Sequence, residues 1–247
     1  MWEHLASTLI GTNENQTFNI YTGSGSNGKS KLVEFMSKCL GDYKATVPIT
    51  LVTQSRNSIG STSSEIVQLM GVRYAVMQEP SKGDKINEGI MKEITGGDPI
   101  QGRALFKDAV TFIPQFKLVV CTNVLFDIKS NDDGTWRRIR VCDFMSKFTD
   151  NPQPCPAQPH QYLADPQLST KLEQWKLLFI VLLLEKFIVY NKEGTCPPEE
   201  VREMTKSYRT ANDIIANWVA DDIEECDKFS SFDELYDSWE RWCDDEG

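Results

Sequence analysis

Thr17-Phe18-Asn19-Ile20-Tyr21 runs straight into Gly23-Ser24-Gly25-Ser26-Asn27-Gly28-Lys29-Ser30, and a helical pattern continues from Lys29 to Leu40. The octet fits GxxxxGK[ST], and it has the setting that motif needs: a β-rich segment before it and a helix after it. Glycines let backbone N–H groups turn inward without Cβ clashes. The helix that follows starts with unpaired N–H groups and a positive dipole end. Lys29 would neutralise β- and γ-phosphates, and Ser30 would place a hydroxyl on Mg²⁺. All eight residues from Gly23 to Ser30 are therefore candidate nucleotide ligands, with ATP and Mg²⁺ as the expected cofactors.

A phosphate loop needs an acid that holds the metal and polarises water, commonly at the end of another strand. Arg73–Met77 reads as that strand, and Gln78-Glu79-Pro80 ends it. Many such ATPases carry two adjacent acids there. Here the first is Gln78, so Glu79 carries most of the role, with Asp98 as a helper. Farther on, Phe116–Thr122 (FKLVVCT) is almost wholly apolar, as suits a central strand covered on both faces. Asn123 ends it and can hydrogen-bond a γ-phosphate or the attacking water. Then comes Trp136-Arg137-Arg138-Ile139-Arg140. Either Arg137 or Arg138 can serve as an arginine finger on a neighbouring subunit's nucleotide. The plain alternatives are a solvated loop acid at Glu79, an ordinary strand-ending Asn123, and a surface basic cluster or nucleic-acid phosphate contact at the arginines.

The 247 residues have ordinary globular composition, 40% hydrophobic and 25% charged, enough for one large domain or a domain with an appendage. The net charge of −10 is concentrated: the last 27 residues hold twelve acids and two bases, while residues 1–220 balance at 24 of each. A neutral body does not exclude nucleic acid, because phosphate contacts need local Lys and Arg. The acidic end reads as a solvated helical face, and Trp218, Trp239 and Trp242 argue for some packing there. Seven cysteines at long spacings, with His4 and His160 standing alone, form no metal-ligand pattern. They read as reduced, buried thiols of an intracellular protein. Leu177–Leu184 is too short to span a bilayer and reads as a buried helix, and the first residues show neither a basic start nor a long apolar run.

The remaining elements follow from periodicity. Lys85–Thr95 is helical and stops at Gly96-Gly97-Asp98-Pro99. Ile100–Phe106 and Val110–Ile113 form a hairpin. Residues 149–161 contain four prolines and read as a linker or crossing loop. Long helical patterns follow at Pro166–Tyr190 and Pro198–Glu225, with a shorter one at Phe232–Cys243. The expected organisation is an α/β core with a parallel central sheet over residues 1–148, a Pro-rich linker over 149–165, and a helical, truncated C-terminal region over 166–247.

The order of these motifs resembles superfamily 3 helicases, specifically the poxvirus-type primase-helicases of large DNA viruses and the related phage and plasmid primases. The segments that carry the resemblance are residues 23–30, 76–80, 92–107, 119–123 and 134–144. The Thr95-Gly96-Gly97-Asp98 turn between the acid and Asn123 is more specific than the phosphate loop. The resemblance implies an AAA+-like core, a hexameric ring and ATP-driven translocation on single-stranded DNA. It also implies a channel hairpin at about residues 100–112, where Arg103 and Lys107 would touch DNA phosphates and Phe106 would pack on a base or sugar. A primase module and other replication proteins are the implied partners, no membrane is implied, and the setting would be the host cytoplasm or a viral replication site. Two other classes stay open: a P-loop small-molecule kinase, and a non-catalytic ATP-dependent scaffold that recruits partners through its acidic tail.

Overall fold

The apolar runs that mark strands in the sequence pair in parallel, and helices cover both faces of the sheet they build. The computed structural model describes residues 1–55, 62–78, 84–223 and 230–246. In chain order the first half comprises α1 (Trp2–Ser7), β1 (Phe18–Thr22), α2 (Lys29–Leu40), β2 (Lys44–Thr46), α3 (Thr50–Thr53), α4 (Ser64–Val67), β3 (Tyr74–Gln78) and α5 (Glu88–Thr95). There follow β4 (Ile100–Arg103), β5 (Ala109–Phe112), β6 (Lys117–Cys121), α6 (Asp133–Trp136), β7 (Ile139–Asp143), β8 (Lys147–Thr149) and β9 (Gln161–Leu163). The helical part is α7 (Leu168–Glu193), α8 (Glu199–Asn212), α9 (Ile214–Asp222) and α10 (Phe232–Glu246).

The main sheet has the order β2-β3-β6-β1-β7, with every pairing parallel. Because β1 and β6 are buried on both faces, their sequences are continuous apolar runs rather than alternating ones. Phe18, Ile20, Leu118, Val120, Ile139 and Val141 face one layer, which α5 closes with Ile90, Met91 and Ile94. Tyr21, Tyr74, Val76 and Val119 face the other, closed by Met36 of α2 and by Phe179 and Leu183 of α7. Truncating a core side chain such as Ile20 to Ala should cost about 3 kcal/mol, the lost transfer energy plus the cavity left behind. Lys117 is buried at the start of β6, where Nζ donates to the Ile10 carbonyl (3.0 Å) and to that of Thr12. Burial and the nearby Arg73 lower its pKa to about 8. This lysine ties the α1–β1 connection to the sheet.

This is the α/β core with a parallel sheet, followed by helices, that the sequence predicts. Two local expectations change. The helical pattern over residues 198–225 is not one helix: Asp213 interrupts it, and its carboxylate caps α9 by accepting the Ala216 N–H at 3.0 Å. An Asp competes well with helix continuation because its side chain can satisfy a free N–H. Nor is Leu177–Leu184 a buried run. Phe179 and Leu183 are inside, while Leu177, Leu178, Val181 and Leu184 are exposed. One helix face is all that α1 and α2 cover. In the acidic end, α9 and α10 pack through Trp218 and Trp239, whose rings lie 5.6 Å apart edge to face. Among the described residues no helix is long and apolar enough to cross a membrane.

Candidate functional site

The loop between β1 and α2 has a backbone that side chains would obstruct. Gly23, Gly25 and Gly28 have φ of 134°, 86° and 92°, a region that L-residues avoid. At Gly23 a Cβ would also meet the Phe144 carbonyl at 2.9 Å and collide with Asn27 Nδ2. Gly28 is the residue before α2, and the first turn of that helix has no acidic residue and no side-chain cap. The Lys29 N–H donates to Asn27 Oδ1 at a long 3.4 Å, and the positive end of the helix faces the loop, where an anion is favoured. Lys29 is only 6% exposed. Nζ donates to the Gly23 carbonyl (2.9 Å) and to Asn123 Oδ1 (3.0 Å). Burial lowers its pKa, while Cys121 and Asp143 act against that. Ser30 is exposed beside it.

Sheet register explains why Asn123 is there. Tyr21 of β1 aligns with Cys121 of β6, and Cys121 aligns with Gln78 of β3. The carboxyl ends of these strands therefore share one edge with the phosphate loop, which is where ligands bind in open α/β sheets. Asn123 follows β6 on that edge, and β3 delivers Gln78 to it. Glu79, the expected metal-holding acid, lies outside the described residues. Asp98 is elsewhere, in the exposed turn between α5 and β4, outside the main sheet.

The arginine pair stands at the other edge. Arg138 directly precedes β7, and its carbonyl accepts the Phe18 N–H at 2.8 Å. The phosphate loop touches the opposite end of β7, where Asp143 aligns with Thr22. Five strand residues, roughly 16 Å at 3.3 Å each, separate the two ends. Gln16 Oε1 accepts from Arg137 Nη2 (3.0 Å) and Arg138 Nη2 (3.3 Å), and Arg138 Nη1 donates to the Gly134 carbonyl at 2.6 Å. Burial, then Arg137, lower the Arg138 pKa. Arg137 is exposed.

β4 and β5 pair as the expected antiparallel hairpin, from Ile100↔Phe112 to Arg103↔Ala109. Phe106, at the tip, is 93% exposed with φ 58°. Lys107 is also exposed, and its carbonyl accepts Arg103 Nε at 3.0 Å. Arg103 is thus at the neck of the hairpin and helps shape its turn. A contact that sequence reading missed joins α5, the helix that leads into this hairpin, to the arginine turn: Lys92 of α5 bridges Asp132 at 2.9 Å. Asp132 caps α6, which leads directly into Arg137. Bonds from Ser130, Lys92 and Thr135 hold its carboxyl well below the usual range. An N-cap acid three residues before Thr135 was the available signal.

Comparison with known proteins follows the motifs. Residues 21–138 match the model of a family of unknown function, DUF5906. Over 96% of its length the chain is 40% identical to "Putative helicase L207/L206" of Acanthamoeba polyphaga mimivirus. It is 30% identical to "Putative helicase 022R" of Frog virus 3, also over 96%. It is thus similar to proteins of large DNA viruses named as putative helicases. It is also similar to "Putative primase C962R" of African swine fever virus, 27% identical over 83% of the chain. The chain spans 26% and 25% of the length of the two viral relatives named putative helicases. Among solved structures, the apo C-terminal region of NrS-1 superimposes with a TM-score of 0.59 at 13% identity. That match covers 89% of this chain and 49% of the other, and it shows a shared fold.

Proposed function

We propose that this chain is the ATP-hydrolysing motor of a replicative DNA helicase of viral type, working as a ring on single-stranded DNA. The observation that carries the reading is the placement of Lys29 and the Arg137-Arg138 pair at opposite edges of one sheet. A phosphate loop and its finger arginine cannot meet within one copy in this arrangement. They meet if copies pack head to tail, and such packing forms a ring when the rotation between copies closes. A monomeric small-molecule kinase would bring its cations to its own phosphate site, so this geometry disfavours that class.

The residues present fit a Mg²⁺-nucleoside triphosphate. Mg²⁺ keeps several waters and takes few protein ligands beside the phosphates. Ser30 supplies a hydroxyl, and Glu79 would supply the carboxylate. When bound, the metal neutralises charge on the β- and γ-oxygens. Lys29 moves from Gly23 and Asn123 to the phosphates. Asn123 is then free to orient the attacking water or the γ-phosphate. Glu79 accepts the water proton as its oxygen bonds the γ-phosphorus, and the bond to the β–γ bridging oxygen breaks, leaving ADP and phosphate. Arg137 is the group that reaches the neighbour's nucleotide, because it is exposed, and Arg138 braces the turn. The Lys92–Asp132 bridge passes the shift at that turn to α5 and the hairpin, where Lys107 holds DNA phosphate and Phe106 a base or sugar. The place of action is the infected cell, beside a primase module of the same system.

ATPase measured with and without single-stranded DNA, together with sizing at matched salt with and without a non-hydrolysable nucleotide, tests this. Stimulation by DNA and nucleotide-dependent assembly are expected. Hydrolysis by a monomer, indifferent to DNA, would overturn it.

A further inference from the structure

β8 and β9 are three residues each, too short to hold together alone. Their position is set by the phosphate loop: the Phe148 N–H donates to the Ser26 carbonyl at 2.8 Å. The Lys147 N–H to His160 carbonyl bond (2.8 Å) and the Ala164 N–H to Thr149 carbonyl bond (2.9 Å) flank the pairing. The edge of the Phe148 ring, Cε2, lies 3.5 Å from where a Cβ on Gly28 would sit. The ring thus sits beside the residue before Lys29, where a side chain on Gly28 would touch it. Tyr162 stands beside it, with ring centroids 5.8 Å apart and planes inclined by 35°. Both rings keep large apolar faces in the open, with 41% of Phe148 and 48% of Tyr162 exposed.

We propose that Phe148 and Tyr162 form the platform on which the nucleotide's base stacks. The proposal rests on the phosphate-loop reading above and adds the subsite at the other end of the same ligand. A planar base has two π-faces and a sugar-phosphate chain that fixes where it can lie. Anchoring the aromatic pair to the loop's own carbonyl puts those faces at a fixed offset from the phosphates. Stacking on an aromatic side chain reads the face of a base and not its edge, so the platform adds affinity for a nucleotide over its bare phosphates without choosing among bases. The Pro-rich connection between β8 and β9, residues 150–160, thus serves to return Tyr162 to the side of Phe148. Neither residue takes part in bond breaking. Both are binding residues.

Calorimetric titration with Mg-ATP and with Mg-tripolyphosphate, which has the phosphates without the base, separates the two subsites. The wild-type chain should bind ATP more tightly than tripolyphosphate. Tyr162→Ala and Phe148→Leu should each weaken ATP by about tenfold, the scale of one lost stacking contact, and leave tripolyphosphate affinity unchanged. Phe148→Leu keeps an apolar side chain against Gly28 and the main-chain bond to Ser26, so it removes the flat face without unseating the strand. Thermal melting of each variant checks that it folds. Equal wild-type affinities for ATP and tripolyphosphate, or variants that bind ATP as the wild type does, overturn the platform. Failure of the wild-type chain to bind either ligand overturns the phosphate-loop reading itself, a result distinct from the other two.

Discussion

Lys29 Nζ and Asn123 Oδ1 are hydrogen-bonded at 3.0 Å, joining the phosphate loop to the tip of the neighbouring strand β6. The bond is short-range in space and long-range in sequence, and it exists because β6 lies next to β1 in the sheet. Two variants separate the partners. Lys29→Ala removes the phosphate charge and should abolish ATP binding and hydrolysis together. Asn123→Ala leaves the lysine in place. It should change ATP affinity by no more than a few-fold but lower kcat by about 10²-fold, the scale of losing one oriented transition-state donor. Nucleotide titration beside steady-state hydrolysis reads both. An Asn123→Ala chain with wild-type kcat would leave Asn123 a spacer for Lys29.

The arginine pair gives a sharper test, because its proposed target is in another copy. Arg137→Ala should bind ATP as the wild type does and lose hydrolysis by about 10³-fold or more, as for other removed arginine fingers. Mixed with Lys29→Ala, itself inactive, it should regain activity. At random 1:1 assembly in a ring, about a quarter of the head-to-tail interfaces combine an intact lysine with an intact arginine. No recovery on mixing, with mixed oligomers confirmed by mass, would place the arginines in a structural role.

Much of this layout was legible in the sequence. The octet at 23–30 sits between β1 and α2 as expected, and the runs 73–77 and 116–122 became strands of the sheet. The signals were strong because these strands are buried on both faces, so the pattern is simple. Exposure was harder to read. Leu177–Leu184 looked internal, yet only Phe179 and Leu183 are inside, since apolar composition carries no information about which face of a helix finds a neighbour. Residues 149–161 looked like a linker because prolines mask short strands. Nothing in the pattern there announces that Phe148 and Tyr162 meet, a contact that depends on β8–β9 pairing across 11 intervening residues. Likewise Lys92 and Asp132 are 40 residues apart, and no periodicity connects them.

That bridge leads to a prediction about coupling. Both partners are substantially exposed, so the bridge should contribute no more than about 1 kcal/mol to stability. Lys92→Ala should therefore melt close to the wild type. If α5 passes motion between the arginine turn and the hairpin, the same variant should lose most of the stimulation of ATPase by single-stranded DNA while keeping basal hydrolysis. Lys107→Ala, by contrast, should weaken DNA binding itself and reduce the slope of log affinity against log salt by about one, the signature of one lost phosphate contact. Fluorescence anisotropy over a salt series distinguishes the two. A Lys107→Ala slope equal to the wild type's would remove Lys107 from the DNA path.

A last prediction concerns His4, whose Nε2 is buried without a partner and whose ring meets Tyr21 edge to face at 6.0 Å. Burial, with the N-terminal amine and Lys117 adding to it, lowers its pKa from 6.5 to about 3. The folded state therefore holds the neutral ring where the unfolded chain binds a proton. Between pH 6.5 and 3 the unfolded chain carries more protons, so stability falls as pH falls through that window and is unaffected by this group above it. At pH 5 the loss assignable to His4 should be on the order of 2 kcal/mol. Carboxylates titrate in the same range, so the comparison must be between chains. His4→Phe keeps a ring against Tyr21 and cannot take the proton. Urea unfolding at pH 7.5 and pH 5 should show the wild type losing about 2 kcal/mol more than His4→Phe between the two conditions. Equal losses would mean that the folded chain protonates His4 as readily as the unfolded one, and that the α1–sheet seam opens to water.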